Sequence, residues 1–133
     1  MYQRVASRNV SLADFALPPE KPLFAYLRSL QTPVEKIAAG QFTLESLAYK
    51  VNESFIQYCE RFGDAETAKM YMNLIQPDEL HHHELGRMLL EKYATTAETQ
   101  RLAREAAGKT LDIAADLRRS AAQKLGTQCF PGC

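Results

Sequence analysis

Between Ala65 and Tyr93 the apolar residues recur with the period of an α-helix. Wound at about 100° per residue, the segment gathers Ala68, Tyr71, Met72, Ile75, Gly86, Leu89, Leu90 and Tyr93 onto one face. Glu79 and His82 fall in the middle of that face and His83 at its edge, while His81 and Glu84 point elsewhere. Gln76-Pro77 should kink the helix or divide it in two, because proline removes a backbone donor and crowds the preceding turn.

The same period continues on either side. Pro22 suits the first turn of a helix with Leu23, Phe24, Leu27 and Leu30 on its apolar side. Thr32-Pro33-Val34-Glu35 predicts a helix start with a reciprocal cap. Gly40 either ends that helix or is absorbed in it. Leu47, Ala48, Val51, Phe55, Tyr58, Cys59 and Phe62 then mark a helical face. Glu53 and Glu60 lie opposite this face, and Glu45 lies at its edge near Ala48 and Asn52. Gly63-Asp64 is a stop followed by a cap. Thr95-Thr96-Ala97-Glu98 opens a last helix, ended by Gly126. Its apolar face is built from small residues, including Ala103, Ala106, Ala107, Thr110, Ala114 and Ala121, with Leu111, Leu117 and Leu125. Glu98, Glu105, Asp112 and Asp116 turn away from it, so this helix brings no ligand inward.

No segment alternates with the period of a strand, and no internal repeat is evident. The pattern predicts an all-α protein with an N-terminal arm over 1–20, a helical bundle over 21–126 and a short tail over 127–133. A chain of 133 residues is enough for one domain with a core.

Charge excludes more than it suggests. Lys+Arg and Asp+Glu both number 16, so there is no basic surface for nucleic acid and no acidic tail. No stretch approaches the roughly 20 apolar residues of a membrane span, and no apolar run follows the basic N-terminus to make a secretory signal. A cytoplasmic protein is expected. Cys59 falls in a helical pattern and reads as a small buried hydrophobe. Cys129 and Cys133 read as two free thiols on a tail, with a small disulfide or a soft-metal pair as the alternatives. There is no phosphate-binding glycine loop, no dinucleotide pattern and no nucleophile elbow.

The chemistry lies at Glu79 and His82. An unpaired buried carboxylate costs several kcal/mol or takes up a proton. Three residues apart on a helix, the two heads can converge on one point. One reading is a Glu–His hydrogen bond inside the core. Another is a metal site, because Glu-x-x-His offers a bridging carboxylate and an imidazole. A third is a solvated metal-binding cluster of His81, His82 and His83.

The upstream Glu45 followed by Glu79-x-x-His82 on the next, antiparallel helix resembles the ferritin-like di-metal carboxylate superfamily. The string Asp78-Glu79-x-x-His82-x-x-Leu85-Gly86 is similar to the metal-binding helix of its larger oxidases and oxygenases. The resemblance spans 42–93. It implies a ferritin-like antiparallel bundle of about four to five helices. It also implies Glu45, Glu79 and His82 as metal ligands, with iron or manganese as the metal. His83, Tyr71 and Tyr93 are the candidates for groups beside the ligands. The family needs Glu and Glu-x-x-His twice, and here all 3 histidines stand at 81–83. Two copies pairing about a two-fold axis would supply the second half, with the Ala-rich last helix offering a contact surface. Otherwise one metal binds with water completing its shell, or the chain is a degenerate or half-length member with a structural site.

The function implied is a di-iron or di-manganese oxidoreductase or oxygenase completed by homodimerisation, reducing oxygen or peroxide. Apolar residues around the ligands would keep the site dry. The alternatives are a non-enzymatic helical dimer or binding module, in which Glu79 and His82 form a buried structural pair, and iron storage or delivery with the same ligands.

Overall fold

The structure, a computed structural model, describes residues 21–128. Within them the chain is helical without strands. A short helix α1 (Pro22–Ser29) precedes three long rods. The first rod joins α2 (Pro33–Lys36), a π-helical stretch Ile37–Leu44 and α3 (Glu45–Arg61). The second joins α4 (Ala65–Met70), a π-helical stretch Tyr71–Ile75 and α5 (Gln76–Tyr93). The third is α6 (Ala97–Leu125), unbroken over 29 residues. At 33–61 and 65–93 the other rods match it in length, so the three span the same height, about 43 Å at 1.5 Å per residue.

Capping side chains set where each rod begins. Thr32 accepts from the Glu35 N–H, and the Glu35 carboxylate accepts in return from the Thr32 amide. Gly63 turns the chain with φ 77°, a left-handed conformation that only glycine adopts without strain. Asp64 then accepts from the Thr67 N–H to start α4. The last start lies one residue later than the sequence suggests. Thr96, not Thr95, is the cap, and Thr99 rather than Glu98 completes the reciprocal pair. Threonine at 99 can both donate and accept locally, and Glu98 is drawn instead to Arg101. Gly126, with φ 66°, closes α6.

Gly40 is absorbed, as one of the two expected outcomes, within the first π stretch. The Glu45 N–H there reaches back five residues to the Gly40 carbonyl. Pro77 produces a second wide turn rather than a sharp break, with the Gln76 N–H donating to the Tyr71 carbonyl. A wider turn holds about one more residue than an α-turn, so it rotates everything on one side of it relative to the other. That rotation is why the single face drawn through 65–93 fails at Met72, which is 49% exposed. Gln76, absent from that face, is buried, and its amide Nε2 donates to the Tyr49 carbonyl at 3.1 Å. Tyr93 at the far end is exposed as well.

The core forms where the first π stretch meets α5 and α6. Ala38, Ala39, Ala106 and Leu30 are buried together, with Tyr26, Leu27, Leu90 and Ala103 against them. Small side chains let the rods approach closely. The closest approach is at Gly86, where a Cβ would stand 2.7 Å from the backbone of Gln41 and of Phe42. The α6 face is realised at Ala106 and Thr110, which are buried, but Leu111 and Leu125 remain exposed. Cys59 is buried, as its position suggests. The arm over 1–20, Cys129 and Cys133 lie outside the described residues. Among the described residues no helix is long and apolar enough to cross a membrane.

Candidate metal centre

The antiparallel pairing of α3 and α5 decides which side chains meet. Tyr49 stands opposite Gln76 and Phe42 opposite His83. Moving along α3 from Tyr49 towards Phe42 moves along α5 from Gln76 towards His83, and midway Glu45 comes opposite Glu79. One turn further on, His82 completes the group. Each residue offers a ligand atom, and these atoms lie within 4.8 Å of one another. All three of the sequence-derived ligands are therefore brought together. Both strands of the hairpin deliver them just after a π-helical stretch, a feature that often accompanies functional sites.

The electrostatics are those of two carboxylates forced together. Burial pushes the Glu79 carboxyl up to about 7. Donation of its proton to Glu45, the negative charge of Glu45 and that of Asp78 act in the same direction, while a hydrogen bond from Asn52 opposes them. Like charges this close cannot both persist without a cation or a shared proton. The His82 imidazole lies between carboxylates, with Nδ1 4.0 Å from Glu45 Oε2 and Nε2 4.0 Å from Asp78 Oδ1. Two carboxylates and one imidazole could together hold a metal ion.

The site is less enclosed than the sequence suggests. The Glu45 side chain is 26% exposed and that of His82 38%. The surrounding candidates separate from the cluster. His83 is turned aside: its Nδ1 pairs with the Phe42 carbonyl at 2.8 Å, and its ring stacks on Phe42 with centroids 4.7 Å apart. Tyr71 meets Phe55 edge to face at 4.9 Å. Tyr93 follows His82 by three turns, about 16 Å along the axis, and does not reach the ligands of its own chain. His81 is exposed, its ring 6.2 Å from that of His82, so the three histidines fan out rather than converge. Asn52, placed beside Glu45 by the sequence, also reaches across to hydrogen-bond Glu79, a role its spacing alone does not give.

No protein-family model matches the chain, and no match is found among the curated proteins or the solved structures. Function is read from the geometry.

Proposed function

We propose that the chain is a ferritin-like metal-binding protein whose Glu45, Glu79 and His82 form half of a di-iron or di-manganese centre, completed by a second copy. The observation that carries this reading is the convergence of the three ligand atoms within 4.8 Å. Glu79 would be shared between the ions, Glu45 would be a terminal carboxylate, and His82 would supply nitrogen. Such a pair of ions, once bound, supplies electrons for the reduction of oxygen or peroxide. The residues themselves do the rest. Glu45 and Glu79 provide the negative charge, and the Glu79 proton leaves when a cation arrives. Asn52 holds the Glu79 carboxylate through its amide. Asp78 stands 4.0 Å from the second nitrogen of His82, beyond a hydrogen bond, and adds negative charge beside the site.

The test is elemental analysis of protein purified without a histidine tag from cells supplied with iron and manganese. The expected result is about one ion per chain, lost in both Glu79→Ala and His82→Ala. Absence of metal from the wild type would sink the proposal. A second reading draws on the proton shared by Glu45 and Glu79: the cluster would then be a self-satisfied polar network that fixes how α3 and α5 align.

A further inference from the structure

The hairpin of α3 and α5 has two sides, and α6, packed on the first π stretch ahead of α3, flanks one. A cavity of about 250 Å³ marks that side, with Ser46, Leu47 and Lys50 of α3 and His83 of α5 facing Ala107 and Leu111 of α6. Leu90 turns the same way, onto the core around Ala106. The ligands occupy the next positions round each helix. Residues a turn or two from Glu45 and from His82 share their direction: Ala48 and Asn52 on α3, and Leu85 and Leu89 on α5. This second side carries apolar side chains left open, with Leu85 38% exposed and Leu89 half-buried. An apolar surface that surrounds a half-exposed ligand set calls for a cover.

The geometry points to the open side of the α3–α5 hairpin as the surface on which a second copy of this chain docks. The inference rests on the metal reading above and names its partner and its face. Two hairpins packed through this side make a bundle of four long helices. They place two copies of Glu45, Glu79 and His82 at its centre, which is the four-carboxylate, two-histidine set of a di-metal bundle. A second copy supplies the missing half. The self-complementarity is that of an isologous interface, in which one patch meets itself. The Ala-rich α6 then lies outside the new bundle, bracing each hairpin from behind, and is not the contact surface its composition suggests.

Solution mass and metal content should be measured together for the full chain, for Leu85→Arg and Leu89→Arg on the open side, and for Ala121→Arg/Leu125→Arg on α6. Far-ultraviolet circular dichroism accompanies each, so that loss of pairing is separated from loss of fold. The expected result is a dimeric wild type with metal. Both open-side variants should be helical monomers with metal content reduced at least tenfold, and the α6 variant should stay dimeric and loaded. A dimer that survives both open-side changes, or that is split only by the α6 change, overturns the inference. So does a monomeric wild type that keeps its metal. A metal-free dimer split by the open-side variants would leave the face standing and remove the metal reading.

Discussion

His82 and His83 are neighbours in sequence, about 100° apart around α5, and they meet different fates. His83 lies on the side flanked by α6, its ring stacked on Phe42 and its Nδ1 bound to a carbonyl. Nearby the chain packs closely, with the buried alanines of the core and the contact of Gly86 with the first π stretch. His82 lies on the other side, between Glu45 and Asp78 but within hydrogen-bonding distance of neither. There two carboxylates contend for one proton, and large apolar side chains remain exposed. One face is closed by packing within the chain, and the other carries the paired carboxylates. Substitutions on the first face should cost stability and spare ligand binding; those on the second should do the reverse.

The largest stability effect is expected at Gly86. Gly86→Ala places a methyl against main-chain atoms of Gln41 and Phe42, which cannot yield as a side-chain tip can. Overpacking of this kind costs about 1–3 kcal/mol, partly offset by alanine's better helix propensity, near 1 kcal/mol. Urea denaturation of the metal-free protein should therefore show a net loss on the order of 1 kcal/mol. A stabilised variant would mean that α5 and the π stretch are not in contact.

The opposite sign is expected at Glu79. Its carboxyl is pushed from 4.5 to about 7. Between those values the folded chain keeps a proton that the unfolded chain has released. The resulting stability is complete below 4.5, falls as the pH rises through the window and is gone above about 7. Glu79→Gln mimics the protonated acid and should flatten that slope. It should leave the metal-free variant more stable than the wild type at pH 8, by about 1 kcal/mol once solvent screening of a half-open site is allowed for. Parallel stability curves for the two proteins would mean that Glu45 and Glu79 do not share a proton.

His83→Ala should cost about 1 kcal/mol, through loss of the bond to Phe42 and the ring stack, and leave the metal content unchanged. Metal loss in this variant would place His83 among the ligands and erase the distinction between the two faces. The smallest effect belongs to the outer surface. Arg101 bridges Glu98 and Glu105 in the open, and Arg101→Ala should change stability by less than about 1 kcal/mol.

Much of the fold was legible because its signals are local. A cap such as Thr32 with Glu35, or a stop such as Gly63 with Asp64, depends on side chains a turn apart, and the helices start and end close to where these residues stand. The convergence of Glu45, Glu79 and His82 was legible too, since two rods of equal length joined by a tight turn can align in only one way. What escaped the sequence was rotation. A π turn leaves no distinct mark on the apolar period, so Met72 was placed inward and Gln76 was overlooked. Exposure of the site was also hidden, because periodicity shows that a face is apolar and not whether its own chain covers it. The distinction between His82 and His83 is of the same kind. Phe42, on the other rod of the hairpin, is what separates them.

The most direct test of a metal pair shared between two hairpins is electron paramagnetic resonance of the metal-free protein reloaded with manganese(II). The account predicts about one ion per chain and the broadened spectrum of two spin-coupled ions, absent from His82→Ala. Binding that shows only the hyperfine pattern of isolated ions would contradict the paired site.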